Sequence, residues 1–238
     1  MPRVLLRLVA AAWLALVPAI ARAGPTGLTF IPTTDTVPWH QLNAVMQNAN
    51  AAIDGSDAFF HDFQPDTQFE LGLPYRLEGG VDVQPANPPN DYRPNFNLKW
   101  RALEESSWVP AAALGVSSLG PGFTPTGFLI LDKTLNYDAI QYQRFRAHHR
   151  NIRLHGIRVH AGFAQVGEFS RAMVGIDAEL SEHFVLWADW ISGASNDLSL
   201  AGVVVFDPKN SGWIALLRQN DENRVSGIVF NFTHTFDW

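Results

Sequence analysis

Ile228-Val229-Phe230-Asn231-Phe232-Thr233-His234-Thr235-Phe236-Asp237-Trp238 is the stretch that decides the reading of this chain. Every second side chain is large: Ile228, Phe230, Phe232, His234, Phe236 and Trp238. Only His234 among them is polar. The residues between, Val229, Asn231, Thr233, Thr235 and Asp237, are mostly polar. Alternation with a period of two belongs to a strand with one greasy and one wet face. A soluble sandwich could hold such a strand, but it seldom lines one face with so many aromatics.

The other end of the chain speaks to destination. Arg3 and Arg7 precede an apolar stretch, Leu8 to Ile20, and Ala21-Arg22-Ala23 has the form of a leader cleavage site. Residues 1–23 are therefore expected to be a signal peptide. No other segment approaches about 18 continuous apolar residues, so no transmembrane helix is expected after processing. The chain has no cysteine, which excludes a lipid-modified amino terminus, a disulfide framework and thiolate metal sites. Loss of the leader removes three arginines and no acids, deepening the formal charge from −6 to −9. An exported chain this acidic is not a nucleic-acid binder by charge.

From Trp39 onward, segments of about ten residues are separated by turn residues, without useful helical periodicity. Gln68 to Leu73 sets Phe69, Leu71 and Leu73 against Glu70 and Gly72. Leu77 to Gln84 sets Leu77, Val81 and Val83 against Glu78, Asp82 and Gln84. Asn95 to Leu103 sets Phe96, Leu98 and Trp100 against Asn97, Lys99 and Arg101. Leu154 to Ala164 sets Ile157, Val159 and Phe163 against Arg158 and His160, and Ala172 to Leu180 sets Val174 and Ile176 against Asp177 and Glu179. The strand from Phe184 sets Leu186 and Trp190 against Trp187 and Asp189. Further strands are expected at Trp39 to Ala49, Trp108 to Val116, Thr126 to Leu135, Leu198 to Phe206 (apolar on both faces) and Trp213 to Asn220.

An exported chain that ends on an aromatic strand resembles the outer-membrane β-barrels of Gram-negative bacteria, whose closing strand addresses the barrel assembly machinery. The resemblance implies an all-β, transmembrane, antiparallel up-and-down barrel of about 12 strands (10–12) over residues 39–238. Residues 24–38 would form a periplasmic or lumenal segment ahead of it. An even count puts both barrel ends in the periplasm. Counting back from residue 238 then gathers Trp39, Trp100, Trp108, Trp213 and Trp238 near one membrane interface, the girdle that tryptophan prefers.

Gly27-Leu28-Thr29-Phe30-Ile31-Pro32-Thr33-Thr34-Asp35 is similar to the opening of the YjbH-like barrels associated with exopolysaccharide production and export. Phe69-Glu70-Leu71-Gly72-Leu73 and Leu77-Glu78-Gly79-Gly80-Val81-Asp82 resemble that group's first clear hairpin. The match covers about a quarter of the chain. It implies a barrel in the outer membrane, an envelope role and a link to exopolysaccharide. It supplies no catalytic residues.

The inward set is expected to be Glu70, Glu78, Asp82, Lys99, Arg101, Arg158, Asp177, Glu179 and Asp189, with Arg218 a further candidate. These residues either line a pore for small polar solutes or polysaccharide, or fill the lumen with ion pairs. Barrels of about eight strands are filled and open channels are typical at about sixteen, so both readings stand. Arg144, Arg146, Arg150 and Arg153 form the one basic cluster, suited to an anion such as phosphate or an acidic polysaccharide, or else simply a solvated loop. His148, His149, His155 and His160 share no carboxylate at ligand spacing, so neither a metal nor another cofactor is expected. The alternative to a non-enzymatic barrel is an outer-membrane lipid hydrolase with a serine–histidine site on the barrel wall. His234 is its candidate histidine and Ser226 lies too far along the same face. No G-x-S-x-G elbow is present.

Overall fold

The terminal strand closes a ring. In a computed structural model that describes residues 27–50, 65–86, 91–135, 156–181, 183–193, 197–220 and 227–238, β12 (Gly227–Asp237) pairs antiparallel with β1 (Gln41–Asn50) from Gln41 opposite Asp237 to Asn50 opposite Ile228. Between them run β2 (Pro65–Leu73), β3 (Leu77–Ala86), β4 (Asp91–Leu103), β5 (Ala111–Leu119), β6 (Thr126–Thr134), β7 (Ile157–Val166), β8 (Phe169–Ser181), β9 (Phe184–Ile191), β10 (Asp197–Asp207) and β11 (Asn210–Gln219). Each strand pairs with its sequence neighbours, so the twelve form one closed, up-and-down antiparallel barrel. Closure leaves no unpaired sheet edge.

The alternation sorts the side chains as the sequence requires. Outward positions carry Phe69, Leu98, Phe163, Val174, Leu200 and Phe232, all large, apolar and exposed. Inward positions carry Asp66, Glu78, Asp82, Lys99, His160 and Asp189, all polar or charged and buried. This inverts the pattern of a water-soluble protein. The orientation of β10, ambiguous in sequence, is fixed by burial of Ser199, Ala201 and Val203 against exposure of Leu198, Leu200 and Val204.

Some boundaries shift. The fifth strand begins at Ala111, not Trp108, because Ser106 to Val109 form a turn closed by a 2.9 Å bond from Ser106 N to the Val109 carbonyl. The eleventh begins at Asn210, three residues before Trp213. Register shifts interrupt β4–β5, β8–β9 and β10–β11, and Ser118 adopts φ 59° beside the first. The connection between β2 and β3 is a short 3-10 turn, Pro74–Arg76, with Tyr75 and Arg76 at positive φ.

Candidate functional site

The chain ahead of β1 enters the cylinder. Residues 27–38 form a strap without regular structure, and its buried apolar members Leu28, Ile31 and Val37 lie among inward-facing residues. Leu28 N bonds the Ile31 carbonyl at 2.9 Å, folding the strap's first turn. Leu28 and Ile31 pack with Ala113, Phe128, Ile130, Ala164 and Met173 from β5 to β8. Gly175 on β8 makes room: a Cβ there would lie 2.7 Å from Leu28 Cδ1 and 2.8 Å from Ile31 Cδ1.

A backbone without regular structure must find other partners for its amides, and the barrel wall supplies carboxylates. Asp189 on β9 accepts from Phe30 N at 2.6 Å and Ile31 N at 3.1 Å, and also from the Ser199 hydroxyl. Asp132 on β6 accepts from Thr34 N at 2.6 Å, and Glu78 on β3 from Val37 N at 2.8 Å. Trp187 Nε1 donates to Thr29 Oγ1 at 2.9 Å. Hydrogen bonds to charged acceptors are worth about 1.5–3 kcal/mol each, so the set holds the strap firmly. Asp35 adds a charged clamp, paired with Arg158 on β7 and, at 3.6 Å, with Arg101 on β4. Burial opposes ionisation of Asp35, but the Arg158 guanidinium, helped by Arg101, more than offsets it and holds the carboxyl below its usual range.

Behind the strap the wall is knitted by charge. His160 Nδ1 lies 2.7 Å from Asp132 Oδ1 and His160 Nε2 lies 2.8 Å from Asp177 Oδ2. An ionised carboxylate only accepts, so with both aspartates ionised the ring donates from both nitrogens and is an imidazolium. Arg158 Nε also donates to Asp177 at 2.9 Å. Lys99 Nζ lies 3.4 Å from Glu78 Oε1, with both side chains buried.

A cavity of about 300 Å³ remains between the strap and the opposite wall. Asn43, Gln47, Gln68, Glu70, Asn231 and Thr233, from β1, β2 and β12, give it a polar side. Trp187 and Trp213 meet edge to face across its margin, with ring centroids 5.5 Å apart.

No family model matches the chain, and no curated protein does. Solved structures do. A KdgM porin is similar at 5% identity and a TM-score of 0.47, and a KdgM porin in complex with disordered oligogalacturonate at 6% and 0.48. Each comparison covers 83% of this chain and 99% of the other.

Of the charged residues expected inside, Glu70, Glu78, Asp82, Lys99, Arg101, Arg158, Asp177 and Asp189 face the lumen. Glu179 has their parity but is exposed at the end of β8, beside the register shift. Arg218 is a correction: it is exposed and shares its face with Ile214 and Leu216, on the outside. Trp213 is a second correction. It shares the inward face of Ala215 and Leu217 and meets Trp187 edge to face, so it belongs to the lumen and not to the girdle. The misreading came from starting the strand at the tryptophan. Trp39, Trp100, Trp108 and Trp238 are exposed at the end where β1 begins and β12 stops, and His40 bridges the rings of Trp39 and Trp238 at 4.1 and 5.0 Å.

Arg144, Arg146, Arg150 and Arg153 lie outside the described residues, as do His148, His149, His155 and Ser226. His160 does meet carboxylates, but on neighbouring strands, which spacing along one chain cannot reveal. Among the described residues no group of three or more His, Cys, Asp or Glu is placed to hold a metal. His234 faces outward with Nδ1 2.7 Å from Asn210 Oδ1, and the positions directly across from it are Asn210 and Ala44. Neither carries a nucleophile. Sequence reading missed the strap's anchors Asp35 and Asp132, because nothing in the linear order places them opposite their partners.

Proposed function

We propose that this chain is a non-enzymatic barrel of the bacterial outer membrane that serves as a narrow channel for small polar solutes, restricted by its own N-terminal strap. The observation that carries this reading is the inversion of faces: apolar side chains ring the outside while ion pairs and amides fill a closed interior. The remaining cavity, polar on one side, marks the route a solute would take past the strap. The surrounding partner is outer-membrane lipid, and the β12 strand is the segment the barrel assembly machinery would engage. The likeness of the strap sequence to the YjbH-like group favours an envelope role linked to exopolysaccharide export. The surroundings of His234 do not favour a lipid hydrolase.

The test is conductance of the purified, leader-free protein in a planar bilayer. The expected result is a small unitary conductance that rises several-fold when residues 27–38 are deleted. Silence of both forms over a wide voltage range would overturn the channel reading. Release of fatty acid from phospholipid by wild-type protein, lost in His234→Ala, would replace it with the hydrolase.

A further inference from the structure

We infer that the lumen wall made by β2, β3 and β4 holds a calcium-class divalent cation, coordinated by Asp66, Asp82 and Asn95. The inference concerns the wall and does not depend on conduction.

The register brings the three together. Asp82 lies directly opposite Asn95 on β4 and opposite Gln68 on β2. Asp66 is two residues before Gln68, on the same inward face. Asp66, Asp82 and Asn95 are all fully buried, at 0% exposure. Each has one polar atom committed. Asp66 Oδ2 accepts from Gln68 Nε2 at 3.0 Å, Asp82 Oδ2 accepts from Asn97 Nδ2, and Asn95 Nδ2 donates to the Asp82 carbonyl at 3.4 Å. Each also keeps one oxygen without a partner: Asp66 Oδ1, Asp82 Oδ1 and Asn95 Oδ1. The amide is the telling member. A buried carboxyl can escape its charge by taking a proton, whereas a buried amide oxygen has no such escape and needs a donor or a cation.

The charge balance agrees. The described inward side chains of these strands include Asp66, Glu70, Glu78 and Asp82. Against them stand Lys99, engaged by Glu78, and Arg93, across from Gln84. Arg101 is engaged by Asp35 and Glu104. A divalent ion balances the excess. Three oxygen donors and no nitrogen or sulfur describe a hard cation. Donors fixed to three different strands do not impose an octahedron, which favours calcium over magnesium. Two carboxylates make a weak site, with a dissociation constant of roughly 10⁻⁴ to 10⁻³ M.

The experiment is calcium titration of the folded protein in detergent by calorimetry, with magnesium as a parallel arm. Each variant is first checked for the heat-modifiable gel shift of a folded barrel. Wild type is expected to bind one calcium, and Asp82→Asn to weaken binding at least about tenfold. Asn95→Asp, which adds a carboxylate without changing shape, is expected to tighten it and keeps the test valid if Asp82→Asn fails to fold. Absence of saturable binding by wild type at millimolar calcium overturns the site. Binding unaffected by folded Asp66→Asn or Asp82→Asn, or unchanged in Asn95→Asp, places the ion elsewhere and overturns it equally.

Discussion

Lys99 is the largest fully buried side chain described in the barrel, and its ammonium lies 3.4 Å from a Glu78 carboxylate oxygen. Glu78 in turn accepts from the strap at Val37. Breaking a buried pair by removing one partner strands the other charge, at a cost of about 3–5 kcal/mol. Lys99→Met is therefore expected to lower the urea midpoint of the folded form sharply, and Lys99→Met with Glu78→Gln to recover much of the loss. A single-variant cost below about 1 kcal/mol would mean that the pair is hydrated like a surface one. Alternation along β3 and β4 was enough to assign both residues to the interior. It could not say whether that interior is wet or packed, since parity reports direction and not neighbours. His160 shows the same gap: its two aspartates come from β6 and β8, and only the strand register aligns them.

The strap is the element that distinguishes this barrel from an open cylinder. Its position was not legible in Gly27 to Asp35, because a segment that bonds to side chains instead of a ladder has no period to read. At its exit, Gly72 is required by proximity: a Cβ there would lie 1.9 Å from the Pro38 carbonyl oxygen. Backbone must then move, so Gly72→Ala is expected to dislodge the strap while the barrel stays folded. Limited proteolysis would report this as new cleavage within residues 27–38 alongside an unchanged gel shift. Gly175→Ala meets two flexible Cδ1 atoms closely and the Ala188 carbonyl oxygen only at 3.4 Å, and should be milder. Acid tests the Asp35 clamp. Its lowered carboxyl means the clamp is whole above the ordinary aspartate value and weakens as pH falls through the lower folded one. Bilayer conductance should gain an acid step below about pH 4. Asp35→Asn should conduct more at neutral pH and lose that acid step. A rise already present near about pH 6 would assign release to other groups.

At the scale of the molecule, period-two patterning sufficed for about twelve strands (10–12), and the barrel resemblance supplied closure; the structure has twelve in one closed ring, the arrangement that keeps a greasy outside and a charged inside. The patterning does not locate the start of β11, which lies three residues ahead of Trp213, and does not orient β10, whose faces are both apolar. The solvent of the outer face can be tested directly. Val174 is outward and half-exposed near the middle of β8. In a bilayer, Val174→Lys is expected to destabilise the fold by about 2–4 kcal/mol, measured by urea unfolding in lipid vesicles. If water bathed that face, the change would stay within about 0.5 kcal/mol. The strap also bears on biogenesis. Its anchors sit on β3, β4, β6, β7 and β9, while the ring is sealed between the first strand and the last, neither of which carries one of them. A peptide gripped at so many compass points is hard to thread into a finished tube. It is better wound in, like a mandrel, while the sheet is still a curling ribbon, so the seam is the last thing to zip.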